Sequence, residues 1–548
     1  MKREITELEN RTFDAVIIGA GIYGTLVAWR LATAGYQVAI VEKGDFCAAT
    51  SANSLKILHG GLRYLQHLDF KRMRESIKSR REIMRFAPHL VAPLPCLVPT
   101  AGLGMRSRLM MKSAFLANDL ISRDRNRGLA REKQLPPGRI MGRTEIKKIL
   151  PDLSRREITG GAVWYDGLAV NTERIALEYL LTACDCGAAA ANYIRVDRIV
   201  TKDGKVTGIT ATDLLAGTPL AIRADRVINC AGPWFAELLR ASGLPAPQVR
   251  WAKAVNLVVR KQITATCAVG LESRAGDDRD PDAVIKRGGR LYFFVPWKGL
   301  MMIGTTYQRF EQAPDRVRAT REDLVTILEE ANSLYPSLRL EYGDICFFHC
   351  GLVPMADKQE VDADTVPLAK HPLVIDHADT GGPAGLVSLC GIKYTTAPIV
   401  ADEVLRLLGG EKSPLPARKT DKINRPSSPG WPGSLAAERL AALHDRYAHR
   451  SVRVAEYIVA SRDSERWLCR QPDLQAGEVI YFIREEMAET LADVVLRRSG
   501  LGDTGSPGRD VLQRIAEVMA AELSWDTTRK EREVAAVEGR YYPLVLPG

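Results

Sequence analysis

The sequence predicts a mixed α/β fold, α+β overall, in which a Rossmann-like dinucleotide-binding domain is joined to an antiparallel-sheet domain and a helical C-terminal domain. Three observations predict it. A strand, a glycine-rich turn, a helix and a second strand follow one another over residues 13–43, apolar strand-like segments recur between residues 254 and 306, and a Pro-, Gly- and Ser-rich stretch at 411–433 precedes the last part of the chain. With 548 residues the chain is too long for one hydrophobic core, so several domains are expected.

The first element is a glycine-rich turn between a buried strand and a helix. Residues 13–18 form an apolar run typical of a parallel strand, and a helix is predicted over Ile22–Ala34. Between them the chain fits the pattern GxGxxG. Gly19 permits the tight turn, Gly21 lets a pyrophosphate approach the backbone, and Gly24 lets helix and strand pack closely. The helix N-terminus adds free N–H groups for the phosphates.

The second strand ends near Glu42, 21 residues after Gly21. A carboxylate there accepts hydrogen bonds from an adenosine ribose and disfavours a 2′-phosphate, which argues against NADP. After Glu42 the chain enters a loop instead of another helix–strand unit. Strands that end in glycine turns return only far downstream, at 224–234 and 385–408. This split arrangement suits a long dinucleotide reached by distant segments, and it favours FAD over NAD.

Domain boundaries follow from these segments. The FAD-binding domain is predicted to be discontinuous, over residues 1–100, 155–235 and 345–410. The substrate domain takes residues 101–154 and 236–344, and its antiparallel sheet is expected to cover the cofactor ring. Residues 411–433 are predicted to be a linker, and residues 434–548 a helical C-terminal domain.

Composition limits the partners. The formal net charge of +10 is compatible with an anionic partner or with a solvated basic surface, and both remain open. The basic residues lack interleaved aromatics, so no nucleic acid is expected. Ten cysteines without paired CxxC motifs predict reduced thiols and no metal site. With no signal-peptide pattern and no apolar run of 18 residues, the expected location is the cytoplasm.

Several motifs together resemble a known family. They are IIGAGIYG, ATSANSLKILHGGLRYLQH, INCAGPW, VPWKGLMMIGTT, CGLVP and CGIKYTT, spread from residue 17 to residue 396. The chain thereby resembles the FAD-dependent glycerol-3-phosphate dehydrogenases and oxidases, within the D-amino-acid-oxidase-like flavoproteins, and residues 481–502 resemble their helical C-terminal domain. The resemblance implies oxidation of glycerol 3-phosphate or a related polyol phosphate to a ketone of the dihydroxyacetone phosphate type. Hydride would pass to FAD N5, and electrons to quinone or another acceptor.

The same resemblance implies the site residues. His59 would take the substrate hydroxyl proton, and Arg63 and Lys393 would hold the substrate, with Tyr64 beside them. Gly60 and Gly61 would let the backbone approach the flat cofactor. The remaining implied FAD contacts are Thr50, Ser51, Ala231, Gly232, Gly391, Thr395 and Thr396. Without the family, HGGLR is compatible with a tight turn that carries a structural histidine and a surface arginine.

Three positions depart from the family pattern. Val353 stands where the family has an arginine that grips the substrate phosphate, Tyr307 replaces an aspartate, and Ala397-Pro398 replace Tyr-Arg. Two explanations remain open. Another cation replaces the arginine, the candidates being Lys56, Arg290 and Arg309, or the substrate is a different 2-hydroxy compound. A flavin-binding protein with altered catalysis is a further alternative. His349 lies near Val353 in sequence and is predicted to contribute to a reshaped substrate pocket.

Residues 103–121 have apolar residues at near-helical spacing, with Arg106, Arg108 and Lys112 among them. A basic amphipathic helix of this kind can lie on an anionic membrane surface. The alternative is an ordinary surface helix. Because the resembling dehydrogenases are peripheral membrane enzymes, a position on the cytoplasmic face of the inner membrane is an expectation beside the purely cytoplasmic one. The sequence leaves the oligomeric state open.

Overall fold

The structure is a computed structural model and describes residues 1–102, 107–153, 158–273, 291–356, 366–409 and 435–544. The predicted linker at 411–433, Arg106 and Arg290 lie outside these residues.

The strands, in chain order, are β1 Thr12–Phe13, β2 Ala15–Ile18, β3 Val38–Val41, β4 Ile57–Leu58, β5 Val91–Ala101, β6 Arg139–Gly142, β7 Ile158–Ala169, β8 Ala189–Ala191, β9 Ile194–Lys202, β10 Lys205–Asp213, β11 Thr218–Ala224, β12 Val227–Asn229, β13 Trp251–Val259, β14 Ala268–Glu272, β15 Leu291–Trp297, β16 Leu300–Phe310, β17 Ile345–Pro354, β18 Leu373–Asp376, β19 Leu386–Cys390, β20 Trp467–Arg470 and β21 Asp473–Gln475.

The α-helices are α1 Ile5–Asn10, α2 Ile22–Thr33, α3 Phe70–Phe86, α4 Arg108–Ile121, α5 Arg143–Ile149, α6 Thr172–Asp185, α7 Phe235–Ala241, α8 Arg321–Leu334, α9 Ala397–Gly409, α10 Ala437–Tyr447, α11 Ser451–Val459, α12 Ala476–Glu486, α13 Arg509–Leu523 and α14 Thr527–Gly539. A π-helix, Asp493–Arg498, lies between α12 and α13. Among the described residues, no helix is long and apolar enough to cross a membrane.

The dinucleotide-binding part is a six-stranded sheet in the order β18-β19-β12-β2-β3-β8. All its neighbouring strands run parallel except β18, which is antiparallel to β19. Every residue of β2 and β3 is buried, as expected for central parallel strands with both faces covered. Helices α2, α6 and α9 pack on one face. A four-stranded sheet, β1-β11-β10-β9, lies beside it.

A nine-stranded sheet takes the order β17-β13-β16-β15-β14-β5-β7-β4, with β6 paired to β7. Its pairs are antiparallel except β14 with β5. Four of its strands, β4, β5, β7 and β17, come from ranges that the sequence assigned to the FAD-binding domain. Strand β5 contains three prolines. Pro93, Pro95 and Pro99 occupy alternate positions, so their missing N–H groups fall on one side of the strand.

The C-terminal part is helical, as predicted, with one small hairpin of β20 and β21 that was not predicted. Its helices share a core with one face of the nine-stranded sheet, through residues such as Trp297 and Phe347. Helix α8 and residues of α5 cover the other face. The architecture confirms the predicted fold class: a parallel-sheet nucleotide domain, a mainly antiparallel sheet and a helical C-terminal domain.

Candidate active site

A cavity of about 540 Å³ is lined by residues of both large sheets. This volume lies within the usual range of ligand pockets. Eleven of the residues predicted to bind cofactor or substrate line it: Gly19, Gly21, Glu42, Thr50, Ser51, His59, Ala231, Gly232, Gly391, Lys393 and Thr395. The other predicted residues lie outside its lining: Gly24, Gly60, Gly61, Arg63, Tyr64, His349 and Thr396.

The glycine turn is built by close backbone contacts. Gly19 has a φ of +96°, and a Cβ on Gly24 would lie 1.9 Å from the Gly19 carbonyl oxygen. A Cβ on Gly21 would lie 2.9 Å from Ser51 Oγ, which accepts the Ile22 N–H at 2.9 Å. The first turn of α2 is therefore fixed to the loop that follows β3, and its N-terminus faces the cavity.

Glu42 ties the end of β3 to the same turn. One carboxylate oxygen accepts the Ala20 N–H at 2.8 Å, and the other accepts the Gly44 N–H at 3.0 Å. Burial raises the pKa of Glu42, although both hydrogen bonds oppose that shift. Its remaining lone pairs are available to a ribose at this end of the cavity.

At the other end, residues 391–396 form a loop that precedes α9. The Tyr23 hydroxyl donates to the Lys393 carbonyl oxygen at 2.7 Å and lies 3.2 Å from Thr396 Oγ1. Burial raises the pKa of Tyr23 to about 12, so the phenol stays protonated and remains a donor. Lys393 Nζ donates to the Tyr64 hydroxyl at 2.5 Å. Tyr23 also lines the cavity and was not predicted, since GIYG was interpreted for its glycines alone.

Replacing Gly391 with Ala is expected to destabilise this loop. A Cβ there would lie 1.9 Å from a ring carbon of Tyr23, and the ring is partly buried with its hydroxyl hydrogen bonded. Overpacking of this kind costs about 1–3 kcal/mol. We expect a lower free energy of unfolding and weaker FAD binding, measured by denaturant titration and flavin fluorescence. Gly343→Ala is the matched control, because nothing lies within 4 Å of a Cβ at that position. Equal effects of the two substitutions would contradict the prediction.

His59 is half-exposed and lines the cavity. Its backbone N–H donates to Thr395 Oγ1 at 3.2 Å, and its Nδ1 lies 3.5 Å from Asp166 Oδ2. Asp166 is buried on β7, and Arg80 on α3 donates to its Oδ1 at 2.5 Å. Burial raises the pKa of Asp166, but His59 and Arg80 outweigh burial and hold it at about 2. Asp166 and Arg80 were not predicted; the one available signal was an acid inside an otherwise apolar strand.

Gly60 and Gly61, predicted to let the backbone approach the cofactor, pack closely against α3 in this structure. A Cβ on Gly60 would lie 2.2 Å from Arg80 Nη1, so glycine is needed there to make room for the guanidinium. Gly61 has a φ of +83°, and its Cβ would meet Tyr64 and helix α3. Both glycines therefore serve the packing of the loop on α3, and neither lines the cavity.

Arg63 and His349, both predicted to contact the substrate, lie outside the cavity lining. Arg63 is exposed. His349 is buried with its ring 5.3 Å from that of Phe347 and 6.2 Å from that of Trp297. Burial, followed by the charges of Lys56 and Lys298, holds the pKa of His349 well below its usual value. His349 is thus a neutral ring in an aromatic environment.

Val353 lines the cavity and packs with Tyr307, Ala252 and Met355 in a small apolar cluster. Of the candidate replacements for the family arginine, Lys56 lines the same cavity as Val353, and Arg290 lies outside the described residues. Lys56 is buried and donates to Ala52 O and Thr172 Oγ1 at 2.7 Å and to Glu173 at 3.2 Å. Arg309 does not line the cavity. In the part of the chain that the structure describes, no group of three or more His, Cys, Asp or Glu residues could hold a metal ion.

Comparisons with known proteins agree with this geometry. The family described as FAD dependent oxidoreductase matches residues 14–407, and the C-terminal domain of alpha-glycerophosphate oxidase matches residues 402–530. A glycerol-3-phosphate dehydrogenase of Synechocystis sp. is 28% identical over 97% of each chain. Glycerol-3-phosphate dehydrogenase 2 of Mycobacterium bovis is 28% identical over 98% of this chain and 90% of its own.

A solved structure has the same fold. The glycerol-3-phosphate dehydrogenase from Bacillus halodurans, complexed with FAD, covers 98% of this chain and 96% of its own, with a TM-score of 0.72 and 23% identity.

The residues present fit FAD. The cavity lining takes in the glycine turn, the N-terminus of α2, the Glu42 carboxylate and the distant loop at 391–395, as a long dinucleotide requires. The predicted cofactor and the predicted resemblance are thereby confirmed. A family match over residues 14–407 covers most of the chain, and the protein belongs to the FAD dependent oxidoreductases.

Proposed function

We propose that the protein oxidises the secondary alcohol of glycerol 3-phosphate, or of a closely related polyol phosphate, and passes the electrons to a quinone or another acceptor. The observation that carries the proposal is that His59 and Lys393 line one cavity. The His59 backbone N–H donates to Thr395 Oγ1, and Thr395 belongs to the same loop as Lys393. The names of the curated relatives and the matching C-terminal domain support the substrate.

The chemistry divides between cofactor and chain. Bound FAD supplies the acceptor for the hydride that leaves the carbinol carbon. His59 accepts the hydroxyl proton, because its ring is half-exposed at the cavity wall. Lys393 holds a substrate oxygen, with its ammonium group positioned by the Tyr64 hydroxyl. The loop at 391–396 and the N-terminus of α9 would hold the cofactor ring, where a helix N-terminus favours negative charge.

Substrate reduction of the bound flavin tests the proposal. Purified holoenzyme is mixed with glycerol 3-phosphate, with longer polyol phosphates and with unphosphorylated 2-hydroxy acids, and flavin absorbance is followed. Bleaching by a polyol phosphate supports the proposal. Bleaching only by a 2-hydroxy acid would favour the alternative of a different substrate, and no bleaching by any of them would favour a flavin-binding protein with altered catalysis.

The apolar cluster around Val353 predicts weak binding of glycerol 3-phosphate. Valine offers no donor, and loss of one charged contact costs about 2–5 kcal/mol in affinity. We expect a KM above the ordinary range of about 1 μM–1 mM, and a lower KM in Val353→Arg. Val366→Arg, in the same cluster but outside the cavity lining, is the control. A wild-type KM for glycerol 3-phosphate inside that range, with higher activity than on every other compound, would contradict this.

A further part of the proposal is that α4 lies on an anionic membrane. Leu116 and Leu120 follow Leu109 by seven and eleven residues, so the three leucines share one helix face. Leu109 is 74% exposed, Leu116 65% and Leu120 74%. Phe115 is the one buried residue of this helix. Arg108 and Lys112 add positive charge beside this leucine face. The support is physical: an exposed apolar stripe with flanking cations suits a lipid surface.

The triple substitution Leu109→Ser, Leu116→Ser and Leu120→Ser is expected to weaken binding to vesicles of phosphatidylglycerol and phosphatidylcholine by at least about tenfold, because it removes the apolar area that would be buried. Co-sedimentation measures it. Leu214→Ser with Leu215→Ser is the control, since both leucines are exposed on another hairpin. Equal vesicle binding by the triple variant and wild type would contradict membrane docking through this face.

A further inference from the structure

We propose that Asp166 is a positioning residue for His59: it accepts the proton on Nδ1 and thereby keeps Nε2 as the proton acceptor that faces the cavity, while Arg80 fixes the carboxylate. This inference rests on the proposed function for its catalytic meaning, because it concerns the residue proposed there to take the hydroxyl proton. Its structural content concerns only the tautomer and orientation of one imidazole.

Asp166 is held by donors from three directions. Oδ1 accepts the Gly60 N–H at 2.6 Å and Arg80 Nη1 at 2.5 Å, and Oδ2 accepts Trp164 Nε1 at 3.2 Å. The His59 Nδ1, 3.5 Å from Oδ2, adds a fourth contact. Every neighbour of this carboxylate is thus a donor, which only an ionised acid can satisfy.

Arg80 is itself fixed. Its side chain is almost fully buried, and Nη1 also donates to the Tyr165 carbonyl oxygen at 3.0 Å. The absence of a side chain at Gly60 creates the space that the guanidinium occupies. A buried arginine that faces a buried carboxylate is a stable arrangement only while both are charged and paired. Arg80 thereby fixes the position of the Asp166 carboxylate, and its Oδ2 presents negative charge to the ring of His59.

The backbone of His59 is held on both sides, and its ring faces Asp166 through Nδ1. Its backbone N–H is bound by Thr395 Oγ1, and Asp166 binds the neighbouring Gly60 N–H as well as facing Nδ1. Other charged or titratable groups of this region are Lys56, Arg63 and Tyr64 in the same segment, Arg80 from α3 and Lys393 from the loop before α9. Asp166 is the single carboxylate among these described neighbours, so it alone can accept the Nδ1 proton.

This geometry determines the direction of proton transfer. With the Nδ1 proton donated to Asp166, the lone pair of neutral His59 is on Nε2. The substrate O–H bond breaks toward Nε2, the new N–H bond forms there, and the positive charge of the imidazolium is balanced by Asp166. Asp166 does not gain a proton.

Asp166→Asn tests the assignment at nearly constant volume. Gly60 N and Arg80 Nη1 must keep an acceptor, so the amide oxygen stays with them and the amide NH₂ turns toward His59. A donor facing Nδ1 makes Nδ1 the acceptor and moves the ring proton to Nε2, which cannot then take a proton from substrate. We expect at least about a 100-fold lower rate of flavin reduction, with KM and the FAD dissociation constant changed less than about threefold.

Asp124→Asn is the matched control. Asp124 also pairs with two arginines of α3, Arg74 and Arg81, but it makes no contact with His59. It should leave the rate of flavin reduction unchanged. A rate loss in Asp124→Asn equal to that in Asp166→Asn would assign the effect to α3 packing and overturn the inference.

A second measurement separates positioning from simple structural support. In the His59→Gln background, Asp166→Asn should change the remaining rate less than about threefold, because Asp166 acts through His59. An undiminished loss in that background would overturn the inference.

The ring tautomer is read directly from ¹⁵N spectra of histidine-labelled holoenzyme without substrate, with His59 identified by His59→Gln. The expected result is a protonated Nδ1 in wild type and a protonated Nε2 in Asp166→Asn. An Nε2-protonated ring in wild type would overturn the inference, even if the enzyme turns over glycerol 3-phosphate. Failure of every substrate to reduce the flavin would instead contradict the proposed function. The tautomer measurement would then still decide whether Asp166 positions the His59 ring.

Discussion

His59→Gln is expected to slow reduction of the flavin by substrate by about 10²- to 10⁴-fold, the usual contribution of a positioned general base. Glutamine keeps a donor that can face Asp166 and preserves much of the volume, so the loop should remain folded. It has no group that accepts a proton near neutral pH. The backbone N–H of residue 59 still donates to Thr395 Oγ1, so the loop at 391–396 and the bound FAD should be retained.

Stopped-flow absorbance of the holoenzyme measures this effect, with saturating substrate and no electron acceptor. The FAD content of the variant is measured on the same sample. His371→Gln is the control, because His371 is exposed and does not line the cavity. A variant that keeps its FAD and is reduced at the wild-type rate would show that another group takes the hydroxyl proton.

The part of the site that was predicted from sequence is the part whose contacts are local. Gly24 packs on the Gly19 carbonyl within one turn and one helix, and Glu42 reaches Ala20 from the end of the next strand. In such short-range units the spacing of the residues along the sequence determines the local geometry. Gly391, Lys393 and Thr395 line the cavity, and their loop was recognisable because a glycine turn between a strand and a helix defines it.

The part that was not predicted depends on contacts between distant segments. Arg80 and Asp166 are 86 residues apart, on a helix and on a strand of the large sheet, and neither local sequence indicates the pairing. Gly60 was noticed, but its real neighbour is Arg80, which only the fold brings there. His349 was placed near Val353 because the two are close in sequence. In an extended strand four residues span about 13 Å, so one can line the cavity while the other does not.

Replacing Arg498 with Met is expected to be the most damaging change outside the cavity. Arg498 comes from the C-terminal part and grips Asp45 with two hydrogen bonds, Nη1 to Oδ2 at 2.8 Å and Nη2 to Oδ1 at 2.7 Å. Both side chains are fully buried. Burial raises the pKa of Asp45, but Arg498 and Arg497 outweigh it and lower the pKa to about 2. Removing one partner of such a pair costs about 3–5 kcal/mol, because a buried charge is left under-compensated.

Asp45 lies in the loop that supports the glycine turn. Three residues before it, Glu42 accepts the Ala20 N–H, and two residues after it, the Cys47 N–H donates to the Ala20 carbonyl oxygen at 3.1 Å. Displacement of Asp45 therefore disturbs both hydrogen bonds that hold Ala20 between Gly19 and Gly21. The folded-state pKa of Asp45 is depressed, so the stability it contributes is present above its unfolded value of 3.8 and is lost as the pH falls through about 2. At neutral pH the full effect of Arg498→Met is expected.

The free energy of unfolding of the apoprotein and the FAD dissociation constant measure the two consequences separately. Arg484→Met is the matched control, because Arg484 also pairs with a carboxylate, Glu522, but is 56% exposed, and such surface pairs contribute at most about 1 kcal/mol. We expect Arg498→Met to lower the free energy of unfolding by several kcal/mol more than the control and to weaken FAD binding at least about tenfold. Arg498 does not line the cavity, so its effect on FAD binding is expected to pass through Asp45 and the loop from Glu42 to Cys47. An unchanged FAD dissociation constant in a destabilised Arg498→Met protein would show that the C-terminal helices stabilise the fold without holding the cofactor turn.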